Sequence, residues 1–474
     1  MYSRSWSAPV RARVLVAVSS LAALVACSDG PLPPRVPLGG TALVANRDRG
    51  PRPDPTLVAL VRQLAAGRSV VPLMPAPRVR APLVRLGRAL LFDPILSGNR
   101  NISCATCHLP TFATGDAKSL AVGEGGTGLG PDREHPNGVF IPRNAPPLFN
   151  LGNMQHLFWD GRIQRDAAGV VHTPAGAQIT PEMASVFEFG PASALGMFPV
   201  TNRAEMRGQV SSGNELAQID DSDLPSIWSA LMRRLGRIPE YRELFEEAYP
   251  GTRFSRMTFA YASNAIGGFM VDQLTFANAP WDRFLRGDDD ALSTRQLQGA
   301  QTFLTLKCSL CHNGATLSDD KFHDVAVAQL GPGEGDGPDG RDDFGRMRVT
   351  GDAADRYLFR TTPLRNVELT FPYGHDGAIT TLRGFIEHYS ESDLKLQTFD
   401  PSPLEPALRS TVIPTTAQIL AQRDTLLRGV VLTPEIVDAL MDYMQVLTDD
   451  AARHLDRLVP YRVPSRLPVD RPPR

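Results

Sequence analysis

The chain has 474 residues, with 49 Lys and Arg against 51 Asp and Glu for a formal charge of −2. That length holds two or three domains, and a balance this close to neutral carries no bias toward polyanions, so nucleic acid is excluded as a partner.

Residues 1–27 open with Arg4, Arg11 and Arg13, continue as an apolar run from Val14 to Val25, and reach Cys27 through Leu24-Val25-Ala26. This is the anatomy of a secretory signal, and its run is shorter than the roughly 20 residues of a membrane-spanning helix. Leu24 to Cys27 resembles a bacterial lipobox, which makes Cys27 a lipidated new N-terminus; an ordinary signal peptide with a spare thiol is the alternative. Either places the protein in the periplasm, touching the membrane through a lipid anchor only. Residues 28–80 are rich in proline and arginine, from Pro31, Pro33 and Pro34 to Pro51, Pro53 and Pro55, and read as a tether.

Beyond it, Leu83, Leu86 and Leu90 give one apolar helix face ahead of Cys104-Ala105-Thr106-Cys107-His108. Ser293 or Thr294 caps a second helix with Leu297, Ala300, Leu304 and Cys308 along one side, ahead of Cys308-Ser309-Leu310-Cys311-His312. Thr433-Pro434-Glu435 starts a third, whose core stripe is Ile436, Leu440, Met444 and Leu447. No strong strand alternation appears. Helix followed by C-x-x-C-H occurs twice, as in a diverged duplication. The expected fold is all-α: two cytochrome c-like haem domains with long loops, over residues 81–285 and 286–474.

C-x-x-C-H is the signature of c-type haem attachment, with thioethers from Cys104, Cys107, Cys308 and Cys311 and proximal nitrogens from His108 and His312. A thioredoxin-like pair or half of a zinc site needs no histidine after the second cysteine, and here it occurs twice. Export suits this chemistry.

Leu91-Phe92-Asp93-Pro94, the first motif, Arg143-Asn144-Ala145-Pro146, Phe158-Trp159-Asp160-Gly161-Arg162, Leu364-Arg365-Asn366-Val367 and Tyr373-Gly374-His375-Asp376-Gly377 stand in one order. This order resembles the landmarks of the bacterial dihaem cytochrome c peroxidase family, which includes MauG. The resemblance implies that the haem on His108 meets peroxide and the haem on His312 passes it electrons. The family's distal histidine on the first haem falls at Glu124, a poor ligand, so an open or water-occupied iron is expected in the ferric protein; His135 in the same loop is the substitute. The second haem's distal ligand falls at Tyr389, where peroxidases have methionine and MauG-like members tyrosine. A phenolate favours ferric iron. His388 keeps bis-histidine ligation open, and a helix-face core tyrosine is the plain alternative.

Peroxide cleavage needs a buried group that moves a proton between the two oxygens. Glu205-Met206 resembles the family's catalytic element and is preferred over Glu182-Met183, while Leu195 stands where a helper glutamine is expected. Trp159 is implied as the relay between the haems, a buried structural tryptophan being the alternative. Asn144 with the backbone oxygens of Thr370 and Pro372 matches an interdomain calcium site, whose oxygen donors suit a hard cation. Gly123 to Gly128 fits G-x-G-x-x-G but follows no strand, and reads as a flexible distal loop rather than a dinucleotide site. The acidic stretch Gly331 to Gly345 does not match EF-hand spacing and reads as a solvated loop.

The implied activity is reduction of hydrogen peroxide to water with electrons from a small cytochrome c or cupredoxin. The alternative is a MauG-like oxidase that uses a high-valent dihaem state on a protein or organic substrate. Glu205, Trp159 and a vacated distal position argue against a plain electron carrier. A homodimer is the assembly the resemblance allows.

Overall fold

Asp54 accepts a hydrogen bond from the Thr56 amide at 2.9 Å and Pro55 fills the first turn, so a helix starts inside the stretch read as a tether. In the computed structural model, which describes residues 52–471, this is α1 (Pro55–Gly67). Val58, Val61 and Ala65 recur at helical spacing and are buried among Leu297, Phe303 and Leu440. The tether reading is corrected there: proline content hid an apolar stripe that has to be buried. The signal sequence, Cys27 and the tether up to residue 51 lie outside the described residues.

The helix α2 (Ala81–Phe92) buries Leu83, Leu86 and Leu90 and leads to the short α3 (Cys104–Cys107). It lies against α4 (Phe259–Gln273), with Phe92 and Phe269 meeting edge to face at 6.2 Å. The approach is close because Gly87 sits at the crossing, where a Cβ would stand 1.9 Å from the Ala265 carbonyl oxygen.

The second half repeats this plan. After α5 (Pro280–Leu285), a capping box between Ser293 and Gln296 opens α6 (Thr294–Thr305), which packs on α9 (Pro434–Val446). Gly299 is at that crossing, and a Cβ there would be 2.2 Å from the Ala439 carbonyl oxygen. One expectation fails: Leu306 is extended, with ψ at 173°, so α6 ends at Thr305 and Cys308 belongs to a separate turn, α7 (Cys308–Cys311). Between α7 and α9 lies α8 (Leu382–His388). Leu440, Met444 and Leu447 are buried as the apolar stripe requires, and Ile436 packs at its edge.

Strands are short. β1 (His156–Leu157), β2 (Ile163–Arg165) and β3 (Val171–His172) form an antiparallel meander, with His156 opposite Gln164 and Gln164 opposite His172. β4 (Phe322–His323) pairs with β5 (Phe359–Arg360), Phe322 opposite Arg360. The molecule is otherwise helix and long loop.

The two halves are laced together rather than divided at 285/286. Trp281 and Phe284 of α5 belong to the same apolar cluster as Leu297 and Leu440, so that boundary cuts through a core. The C-terminal segment returns to the first half: Ser465 Oγ donates to Asp93 at 2.5 Å, Arg88 donates to the Leu458 carbonyl at 2.8 Å, and Thr106 hydrogen-bonds Asp470. Among the described residues no helix is long and apolar enough to cross a membrane.

Candidate haem sites

Each C-x-x-C-H motif is a single helical turn that hands its histidine to a loop. Ser103 caps the first turn with Thr106. His108 ends it, and its Nδ1 lies 2.9 Å from the Thr114 carbonyl oxygen; His312 Nδ1 lies 3.1 Å from that of Leu317. A carbonyl only accepts, so each Nδ1 carries the proton and each Nε2 keeps its lone pair, the tautomer that binds iron. Burial lowers the pKa of both imidazoles and keeps them neutral.

The second motif opens onto a cavity of about 450 Å³ that Cys308, Cys311 and His312 share with Tyr389 and the apolar side chains of Phe385, Leu440 and Met444. Two thiols, an imidazole with a free nitrogen and a phenol around one apolar space is a donor set that fits haem c. Tyr389 follows the last turn of α8, and burial, with Cys308 and Cys311 close by, pushes its phenol up. His388 is turned elsewhere: its Nε2 is 2.7 Å from the Val325 carbonyl oxygen. Cys311, Asp319 and His323 lie close enough to hold a metal ion. Haem attachment would claim that sulfur, however, and His323 is ion-paired to Asp319 at 3.1 Å and to Asp424.

At the first motif, Glu205 sits in a π-helical turn, Arg203–Arg207, whose start is held by the Asn202 side chain accepting from the Ala204 and Glu205 amides. Burial raises Cys104 and Cys107, and the Glu205 carboxylate adds to both, behind Asp116 at Cys107. Burial raises Glu205 itself; Arg162 opposes that and Glu334 adds to it. Glu182 lies on an exposed turn, Pro181–Ala184, and Leu195 ends the short helix Pro191–Leu195.

Glu124 is hydrogen-bonded at one carboxylate oxygen and at its amide. Its Oε1 accepts from Asn99 at 2.6 Å and Asn101 at 3.2 Å, and its amide donates to the Ala204 carbonyl at 2.9 Å. The loop read as flexible is clamped by Arg133, which donates to the carbonyls of Val122, Gly123 and Gly128 at 2.6, 2.7 and 3.0 Å. His135 accepts from the Asn137 amide at 3.1 Å and lines a surface groove with Glu124 and Arg203.

Between the motifs, Trp159 is buried, donates its indole N–H to the Asn144 carbonyl at 2.9 Å and lines the second cavity. Asn144, Thr370 and Pro372 line the same cavity, but the Asn144 amide nitrogen donates to the carbonyls of Lys118 and Ser119. Beside them Arg143 binds Asp343 with two nitrogens at 2.7 and 2.8 Å and Asp160 with a third at 2.6 Å. Glu334 stands 3.4 Å away. Despite burial, Arg143 lowers Asp343 to about 2.

The solvated-loop reading of Gly331 to Gly345 is therefore corrected: Asp342 and Asp343 are buried and close a charge clamp. Sequence reasoning missed Asp343, Glu334 and Arg360. The signal was there in Arg143, since an arginine among apolar landmarks needs an acid, and an adjacent acid pair was available in that loop.

The profile of the family described as di-haem cytochrome c peroxidase matches residues 81–290. The cytochrome c551 peroxidase of Pseudomonas aeruginosa is 31% identical over 315 residues, which cover 66% of this chain and 72% of that protein. The methylamine utilization protein MauG of Methylorubrum extorquens is 28% identical over 326 residues, 68% of this chain and 73% of the relative. The crystal structure of a MauG-like protein associated with microbial copper homeostasis shares the fold, with a TM-score of 0.55, 22% identity, and coverage of 82% of this chain and 95% of that one.

Proposed function

The chain belongs to the dihaem cytochrome c peroxidase family and is a peroxidase-type oxidoreductase; from that premise we propose that it reduces hydrogen peroxide to water with electrons from a small cytochrome c or cupredoxin. Cys104, Cys107 and His108 hold the haem that meets peroxide, and Cys308, Cys311, His312 and Tyr389 hold the haem that receives electrons. The bound haem supplies electrons, two per peroxide, for cleavage of the O–O bond. Glu205, as carboxylate, takes the proton from the inner peroxide oxygen and returns it to the outer one, which leaves as water; the two electrons and two protons from solvent take the remaining oxygen to the second water. Trp159, fixed by Asn144, relays electrons between the two sites. Asn144, Thr370 and Pro372 are the donors for a calcium ion.

What supports this reading is Glu205 in a turn, Arg203–Arg207, that is tied to the Glu124 loop through the Ala204 carbonyl, together with a Glu124 carboxylate that two asparagines engage. That pairing supports a first iron open to peroxide without prior reduction. Tyr389 favours a second reading, in which the same open site drives a MauG-like oxidation of a protein or organic substrate.

The test is to mix the fully ferric protein with hydrogen peroxide and follow the absorption spectrum, first alone and then with reduced cytochrome c. Prompt reaction without donor, followed by sustained donor oxidation, is expected. Reaction only after partial reduction would overturn the open first site, and a prompt, persistent spectrum with no donor turnover would favour the oxidase.

A further inference from the structure

A guanidinium buried without an anion is costly, because its lost hydration is not returned. The buried arginines near the interface mostly avoid this: Arg143 has Asp343 and Asp160, and Arg365 has Asp282 at 3.0 Å. Arg360 is different. It is 7% exposed, lines the second cavity with His312 and Tyr389, and forms no ion pair among the described residues. Its Nε donates to the Phe158 carbonyl and its Nη1 to that of Thr361, both at 3.2 Å, and Nη2 has no protein partner.

Asp320 supplies some negative field but forms no ion pair with Arg360: its Oδ2 accepts from the Gln155 amide at 2.9 Å and the His156 amide at 3.1 Å and lies 3.1 Å from the His156 ring, while its Oδ1 is buried without a partner among the described residues. Burial accordingly pulls Arg360 down to about 10. A protein that keeps such a charge beside a cavity has placed it for an anion that arrives with the cavity's occupant. Haem carries two carboxylates, and a guanidinium edge is the donor that matches a carboxylate.

We propose that Arg360 is the anion-binding residue of the second site, pairing with a haem carboxylate and raising that haem's reduction potential. The proposal rests on the haem reading of the second motif. A fixed positive charge near the iron stabilises the ferrous form, and it opposes Tyr389, whose phenolate stabilises the ferric form. The same residue is tied to the interhaem tryptophan, since its backbone amide donates to the Trp159 carbonyl at 2.8 Å. Arg360 thus positions the relay and the haem carboxylate on one strand.

The test is a spectroelectrochemical titration of the second haem in purified holoprotein, parent against R360Q and R360K. At a fixed electrode potential R360Q should show a ferrous-to-ferric ratio at least tenfold lower, which is about 59 mV for a one-electron couple. R360K should stay within about threefold of the parent. A potential in R360Q that is unchanged or higher overturns the proposal.

If R360Q does not fold, R360K decides. A buried lysine loses its charge at far lower pH than a guanidinium, so the R360K potential should fall more steeply than the parent's between pH 7 and 10, and parallel slopes overturn the proposal. Covalent haem is counted separately: a parent with fewer than two haems per chain sinks the haem reading, whereas two haems with an unmoved R360Q potential sink only Arg360.

Discussion

Replacing Glu205 by glutamine keeps the side chain's size and removes its ability to hold a proton, and the other buried carboxyl beside the first motif is Asp116, whose Oδ2 has no hydrogen-bond partner among the described residues. Leu195 occupies the position of a helper amide, Glu124 is committed to Asn99 and Asn101, and Glu182 is on the surface. General acid–base catalysis contributes about 10²–10⁴ in rate, so the loss should fall in that range, about 2.7–5.5 kcal/mol of barrier. Burial raises the Glu205 carboxyl, so the parent's rate with peroxide should climb with pH through a midpoint above the ordinary glutamate value of about 4.3. E205Q should lack that limb. The stability sign is opposite: a carboxyl whose folded-state value is raised binds its proton more tightly when folded, so the folded chain loses stability as pH rises from the ordinary to the raised value. E205Q therefore should be at least as stable as the parent at pH 7. Stopped-flow absorbance of the ferric protein against peroxide concentration, with melting curves alongside, measures both. An E205Q rate within tenfold of the parent, or a surviving pH limb, would refute the assignment.

Gly299→Ala drives a methyl to 2.2 Å from the Ala439 carbonyl oxygen; overpacking of about 1–3 kcal/mol should exceed the helix-propensity gain of up to about 1 kcal/mol. Urea unfolding that shows a net gain would contradict the close crossing. Asp343, lowered to about 2 by Arg143, lends on the order of 2 kcal/mol that is present above about pH 4 and lost as pH falls toward 2. D343N should start about 1–3 kcal/mol less stable at neutral pH, because Arg143 stays paired with Asp160 but loses its bidentate partner, and it should show a flatter acid limb in chemical denaturation. In Y389F the second haem should lose its distal ligand without recruiting His388, which the Val325 carbonyl holds at 2.7 Å; a bis-histidine signal by EPR would show that this contact yields.

Local pattern was readable from residue types alone: α2, α6 and α9 follow their leucine and capping signals, and each motif histidine ends a single helical turn with Nδ1 on a loop carbonyl. What was not readable depends on distance in the chain. Pro55 looked like linker because the partners of Val58 and Val61 lie more than 200 residues downstream. Asp343 looked solvated because its cation, Arg143, is 200 residues upstream. The break between α6 and α7 escaped notice because helical periodicity continues through Leu304 and Cys308 even where the backbone at Leu306 turns extended. Glu205 was found through resemblance, and its environment only through the fold.

The crossed termini bear on how the molecule is made. Asp470 covers Thr106, between the first pair of cysteines, from 364 residues away, and Ser465 reaches Asp93 across 372. A chain emerging N-terminus first presents Cys104 and Cys107 long before the residues that close over them exist. Pairings of such sequence separation form late, so the first motif stays uncovered until the C-terminal segment packs on it. If the first haem is attached before that segment docks, the segment is a latch that closes over the motif afterwards. A chain lacking residues 462–474 should still acquire that haem and should release the first half at lower denaturant.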